Sequence, residues 1–255
     1  MIRGLDHVVI LVTDLAQAMR DYETLGFQVL PGGTHRDGAT QNALISFADG
    51  TYLELLAFQR EAPEHRWWRH TAAGEGLIDF ALLSGQIEAA VVAASARGLH
   101  LDGPIAGGRE RPDGVSLEWL SAFPSAPDLP FLCADVTARE LRVPHGSACQ
   151  HPNGATGIGR ITVAVSDLET SAGRFAALIG HGPTMEPRQR HFKLGTCQVV
   201  LEAPAPDLPD SAVLEARLAA RGDGIASVIL RRDHLVTAPQ RLDPQLSHGA
   251  WLALA

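Results

Sequence analysis

His7 and Glu54 lie in two of the most apolar stretches of the chain, DHVVILV and YLELLAF. A carboxylate inside such a run is expensive to bury without a partner, so Glu54 requires one. If both stretches are strands, alternate side chains share a face: Tyr52, Glu54 and Leu56 point together, as do His7 and Val9. Imidazole and carboxylate on neighbouring strands suit a borderline-to-hard divalent ion such as Zn, Mn, Fe, Ni or Co. A structural use is equally open, with His7 donating to a core carbonyl and Glu54 paired with an arginine. Other polar residues are candidates for the rim of a site. His35 and Asn42 lie in the glycine-bearing GGTHRDGATQN, and His151 and Asn153 in HPNG. Arg109 and Arg111 in GGRERPDG can hold an anionic substrate through bidentate hydrogen bonds, or simply form surface salt bridges.

The elements that would position these groups are written as repeats. The segment GLDHVVILVTDLAQAMRDYETLGFQVLPGG opens as a strand; Asp14 then caps a helix with Leu15, Ala18, Met19 and Tyr22 on one face, which Gly26 stops. FQVLPG, NALISFA and TYLELLAF read as three further strands, the last entered through the turn dipeptide Asp49-Gly50. A second β-α-β-β-β unit runs from GLIDFALLSG through QIEAAVVAASARG to RPDGVSLEWLSAF, with Asp113-Gly114 turning the chain into its closing strand. A third runs from GIGRITVAVSDL to GTCQVVLEAP, and a shortened fourth from GIASVILRRDHL to WLALA, with a helix that Asp233 caps. The fold class expected is α+β: four tandem β-α-β-β-β modules, the fourth shortened, forming paired curved mixed sheets with flanking helices. Residues 1–135 hold the first module pair, 136–156 a Pro- and Gly-bearing connector, and 157–255 the second pair. The polar segment 59–75, with its Trp67-Trp68 pair, lies outside the repeat and serves as an anchored loop or a lid.

Modules that open with G-x-x-H or its variants and close on a Glu-bearing strand resemble the vicinal oxygen chelate superfamily, the fold of glyoxalase I, extradiol dioxygenases and the fosfomycin and bleomycin resistance proteins. HVVILVTDL, PGGTHRDGATQNALISFADGTYLEL, RPDGVSLEW, LPFL and HPNGATGI resemble more specifically its bacterial glyoxalase-like members. The resemblance implies a cup of curved strands from two modules, with a divalent metal at its base held by residues of the opening and closing strands. Transferred position by position, it selects His7 and Glu54 in the first module and Asp79 and Glu118 in the second; Asp79 is short enough to cap a turn instead. The third and fourth modules offer Arg160, Ser227, Val200 or Glu202, and Ala253, so the second cup has lost the metal. The metal would act as a Lewis acid on neighbouring substrate oxygens, and Glu54 or Glu118 would serve as general base.

The chain has 255 residues and a formal net charge of −8, which repels phosphate backbones and anionic lipid and argues against nucleic-acid or membrane partners. No apolar run approaches the roughly 20 residues that span a bilayer, and the start does not read as a signal peptide, so a cytoplasmic location is expected. Cys133, Cys149 and Cys197 are too few and too widely spaced for a disulfide framework. GGRERPDG lacks the following helix of a phosphate cradle. Within these bounds, the resemblance implies a divalent-metal-dependent lyase, isomerase or dioxygenase acting on a small oxygen-bearing molecule. The alternatives are a non-catalytic binder that sequesters an antibiotic or metabolite against Trp67, Trp68 and Trp119, and a cup that has drifted into a structural role. Paired modules complete a cup without a second copy and are compatible with a homodimer.

Overall fold

The computed structural model describes the whole chain except residues 207, 209–210 and 234–237. The amino-terminal half runs β1 (Ile2–Leu11), α1 (Leu15–Thr24), β2 (Leu30–His35), β3 (Thr40–Ser46), β4 (Tyr52–Phe58), then β5 (Gly76–Ser84), α2 (Ile87–Ala96), β6 (Leu101–Glu110), β7 (Ser116–Pro124) and β8 (Phe131–Asp135). These eight strands close into a barrel in the order β1-β4-β3-β2-β6-β7-β8-β5. A linking segment carries the one-turn α3 (Arg139–Arg142). The rest of the chain follows as β9 (Ala155–Ala164), α4 (Leu168–Ile179), β10 (Thr184–Met185), β11 (Gln189–Leu194), β12 (Cys197–Glu202), α5 (Ser211–Arg221), β13 (Gly224–Arg232), β14 (Gln240–Arg241) and β15 (Leu252–Leu254). Its seven strands form an open mixed sheet, ordered β10-β11-β12-β9-β13-β15-β14.

Both faces of β1 are buried, and its alternation sorts its side chains into two environments. Val8 and Ile10 join the main core, with Tyr22 and Ala18 of α1 and Leu53 and Leu55 of β4. Val9 and Leu11 point the other way, into the barrel, where they meet Leu56, Trp67, Ile78, Ala81, Phe131 and Cys133. The main core continues without a break into the second sheet through Ile158, Ile161, Phe175, Phe192 and Val228. Helix α1 starts where its sequence predicts, with the Asp14 carboxylate accepting from the Gln17 backbone N–H at 2.9 Å.

The structure departs from the sequence reading in two places, and a third expectation falls outside the described residues. The closing strand of the second module is β8, built from the LPFLCAD stretch, and the strand that contains LEW is the one before it. Helix α5 stands directly ahead of β13, where the sequence reading placed no helix. The helix expected after β13 falls largely on 234–237, outside the described residues; Asp233 itself lies in a bend.

The polar segment 59–75 ends in a short 3-10 helix, Trp68–Ala73. Arg221 of α5 holds its carboxyl end, donating to the His70, Gly74 and Glu75 carbonyls at 2.7, 2.7 and 2.8 Å. His248 adds a second tie, its ring nitrogens 2.8 Å from Glu75 and 3.1 Å from Asp21. The second sheet therefore fixes the segment that brings Trp67 and Arg66 over the barrel.

Candidate active site

Strands β1 and β4 run parallel, with His7 beside Tyr52 and Val9 beside Glu54. Since alternate residues share a face, His7 and Glu54 both point into the barrel, and His7 Nε2 lies 3.3 Å from Glu54 Oε2. The other ring nitrogen, Nδ1, is 3.0 Å from an Asp6 carboxylate oxygen. Burial opposes ionisation of Asp6, but Arg142, His7 and Arg139 overcome it and hold the carboxyl well below its usual range. An ionised carboxylate only accepts, so Nδ1 of His7 is the donor in this contact, and Nε2 lies against Glu54.

Glu54 is buried and receives three polar neighbours. Asn42 donates to Oε1 at 2.6 Å, His35 Nε2 stands 3.6 Å from the same oxygen, and His7 flanks Oε2. Burial alone would raise this carboxyl; His7, His35, Asn42 and Arg109 outweigh it, and the net shift is downward. His35 is lowered by burial, which Glu54 opposes and Arg109 reinforces, so its ring is neutral near pH 7. Its Nδ1 rests 2.8 Å from Thr40 Oγ1.

Arg109 enters from β6, where it pairs in register with His35 of β2. It donates to Asn42 Oδ1 at 3.2 Å and to the Arg142 carbonyl at 3.0 Å, and burial lowers its pKa. The close approach of Asn42 and Arg109 to β2 depends on Gly32: a Cβ there would lie 2.0 Å from Asn42 Oδ1 and 2.2 Å from Arg109 Nη1. These groups line a cavity of about 360 Å³ together with Trp67, Trp119, Phe123 and Phe131. Tyr52 stacks on the His7 ring at 4.6 Å, and Phe131 meets it edge-on at 5.5 Å.

The remaining sequence candidates lie elsewhere. Asp79 is tied to Arg66 at 3.2 Å and accepts from Trp67 Nε1 at 2.8 Å. Burial raises its pKa, even against Arg66 and Trp67. Glu118 points away from the cavity, because Trp119, Ser121 and Phe123 take the inward face of β7, and it pairs with Arg36 at the surface. Arg111 is bound to Asp113 at 2.6 Å. His151 and Asn153 fasten the turn before β9: His151 accepts from the Gln28 N–H at 3.0 Å and sits 3.0 Å from the Ser46 carbonyl, while Asn153 donates to the Leu25 carbonyl at 3.0 Å. Asp6, Tyr52, Arg66, Phe131 and Arg142 belong to the site or its support and were not selected from sequence. Asp6 had a local signal, as the neighbour of His7. Arg142 had none, since only the return of the linking segment under the barrel brings it to Asp6.

The pairing registers repeat. Val9 lies beside Glu54 in the first module as Ala81 lies beside Phe131 in the second, and His7 pairs with Ala81 as Asp79 pairs with Val9. The second half follows the same pattern, with Thr162 beside Val200 and Ile229 beside Ala253. The positions related to Glu54 are thus Phe131, Val200 and Ala253, and those related to His7 are Asp79, Arg160 and Ser227.

A glyoxalase-like domain family model matches residues 5–179, more than half of the chain. The chain belongs to the glyoxalase-like domain family. Solved structures agree on the fold. A hypothetical protein from Staphylococcus aureus aligns over 98% of both chains at 15% identity with a TM-score of 0.75. A triple mutant of 4-hydroxymandelate synthase from Streptomyces coelicolor aligns over 96% of this chain and 79% of its own, at 14% identity and a TM-score of 0.58. A fusion protein of a xylose isomerase-like TIM barrel and a 4-hydroxyphenylpyruvate dioxygenase aligns over 92% of this chain and 37% of its own, at 18% identity and a TM-score of 0.57. The synthase and the dioxygenase have the vicinal oxygen chelate fold. No curated protein matches the chain.

For this glyoxalase-like domain protein, the four-ligand set implied by resemblance does not assemble. Phe131 stands where the second closing-strand carboxylate would be, Asp79 is committed to Arg66 and Trp67, and Glu118 faces solvent. His7 and His35 flank opposite oxygens of Glu54. Among the described residues, no group of three or more His, Cys, Asp or Glu side chains is arranged to hold a metal ion. No helix is long and apolar enough to cross a membrane, among the described residues.

Proposed function

We propose that this protein is an enzyme that takes a small oxygen-bearing organic molecule into the first barrel and isomerises or cleaves it by proton transfer to Glu54. The observation that carries this reading is a buried carboxylate, drawn toward its ionised form by His7, His35 and Asn42, at the floor of an aromatic-walled cavity. Glu54 is the base for a proton next to a substrate carbonyl. Asn42 fixes its Oε1, and the Asp6–His7 pair fixes the imidazole on Oε2. Charge that develops on the substrate oxygen meets the positive field of Arg109, which reaches the site without a carboxylate of its own. The proton then returns from Glu54 to a neighbouring atom in an isomerisation, or to the departing group in a cleavage.

A second reading keeps the divalent metal, and one observation favours it. A carboxylate on Nδ1 of an imidazole whose Nε2 faces a cavity is the support that metal-ligating histidines commonly have, and Asp6 supplies it to His7. His7 and Glu54 would be its protein donors, with no third His, Cys, Asp or Glu arranged to complete the set among the described residues.

Turnover of a panel of small 2-oxo acids and hydroxy ketones, followed by NMR before and after exhaustive chelation, separates the readings. Activity that survives chelation and falls at least a hundredfold in Glu54→Gln supports proton transfer by the protein. Activity lost on chelation and restored by one divalent ion supports the metal. Tight binding of a panel member, unchanged in composition after long incubation with either protein, identifies a binder.

A further inference from the structure

Four arginines line the cavity, namely Arg36, Arg66, Arg109 and Arg142, and with them His7, His35 and His65. Only Glu54 and Asp37 among the lining residues are acidic, in a chain whose net charge is −8. What decides the local charge is which of these arginines is already neutralised. Three of the arginines already have carboxylate partners: Arg36 has Glu118, Arg66 has Asp79, and Arg142 has Asp6 and Asp135.

Arg109 differs from them. Its side chain hydrogen-bonds two neutral oxygens, and among the described residues no carboxylate pairs with it. It is only 4% exposed. A guanidinium in such a place has lost most of its hydration and has only the through-space charge of Glu54, with no direct ion pair, to offset it, which is costly unless something anionic comes to it. Glu54 does not meet that need, because Asn42 stands between the two, taking Arg109 on its oxygen and giving its amide N–H to Glu54. Two hydrogen bonds leave donors over from the five of the guanidinium fork. Trp67, Trp119, Phe123 and Phe131 add rings to the lining, with the Arg66 guanidinium 4.0 Å from the centre of the Phe123 ring, and such rings fit a flat apolar body.

We infer that the substrate of this cup is a carboxylate with an aromatic or similarly planar apolar body, and that Arg109 receives the carboxylate. This assignment rests on the reading of the cup as a small-molecule site and adds the chemical class of its occupant. Arg109 selects by charge, the aromatic wall selects by shape, and Glu54 is left free for the proton.

The test compares 3-phenylpropanoate with its neutral amide, 3-phenylpropanamide, by tryptophan fluorescence and by calorimetry on the full chain. The wild type is expected to bind the acid at least tenfold more tightly than the amide. Arg109→Met is expected to remove that preference while leaving amide binding within about threefold, and Arg109→Lys to keep part of it. Thermal melting of both variants checks folding, and the wild-type comparison needs no variant. Equal binding of acid and amide to the wild type, or an acid preference that persists in folded Arg109→Met, overturns the assignment. Failure of the catalytic reading looks different: the acid preference stays while no panel compound is turned over.

Discussion

Glu54 and Phe131 occupy equivalent places in the two modules of one barrel, Glu54 beside Val9 of β1 and Phe131 beside Ala81 of β5. One module supplies a carboxylate to the cup, and its twin supplies a ring that leans on His7 at 5.5 Å. The asymmetry makes one side of the cavity acid–base and the other apolar. Phe131→Glu should therefore bury a second carboxylate without a partner. The expected result is a loss of about 3 kcal/mol in urea unfolding, with most of it recovered when Zn or Mn is added, because the new carboxylate would join His7 and Glu54. An unchanged stability with no response to metal would show that position 131 does not face the site.

Arg142 links the barrel floor to the returning segment. It pairs with Asp6 at 3.0 Å and donates to Tyr52 Oη at 2.7 Å. Arg142→Met leaves Asp6 with Arg139 and His7 alone, and a cost of about 3–5 kcal/mol is expected. Linkage sets the pH behaviour. The folded pKa of Asp6 is depressed, so its contribution is fully present above the unfolded value of about 3.9 and is lost as pH falls through the folded value. Acid unfolding below about pH 4 should be shallower in Asp6→Asn than in the wild type.

Much of the fold and half of the site were legible in the sequence. His7 and Glu54 stood out because each is a polar residue at a fixed place in a repeated apolar strand, and strand alternation then put both on one face. Glu118 misled for a physical reason. Asp113-Gly114 makes β7 look like a closing strand, while the true one, β8, is five residues long and follows the Pro-rich PSAPDLP. A shift of strand moved the expected carboxylate from Phe131's place to a surface pair with Arg36. Arg142 and its hold on Asp6 were out of reach, since a contact across 136 positions depends on how the linking segment returns and leaves no periodic trace.

Gly32 is a more delicate probe of the cup than any lining side chain. Gly32→Ala places a methyl group against both Asn42 and Arg109, which must then move. The expected outcome is a folded protein with near-normal melting and at least a tenfold loss of carboxylate binding. Unaltered binding would mean that the Asn42–Arg109 contact is dispensable.

Arg221 offers a test from outside the barrel. It holds the carbonyl end of the 3-10 helix that follows Trp67. Arg221→Ala should loosen the Trp67 wall, raising KM several-fold with little change in kcat. Hydrogen exchange of the 59–75 backbone should rise in parallel, and a fall in kcat at constant KM would contradict this role.

The charge state of Glu54 is the claim beneath the rest. Burial acting alone would push its carboxyl up and leave it protonated, a poor base; the surrounding His7, His35, Asn42 and Arg109 are held here to pull it down. Selective carbon-13 labelling of glutamate, assigned through Glu54→Gln and followed by NMR across pH, reads this directly. A midpoint below the ordinary glutamate value of about 4.3 is predicted, and a midpoint above about 7, which would leave the carboxyl protonated at neutral pH, would contradict the assignment of Glu54 as the base.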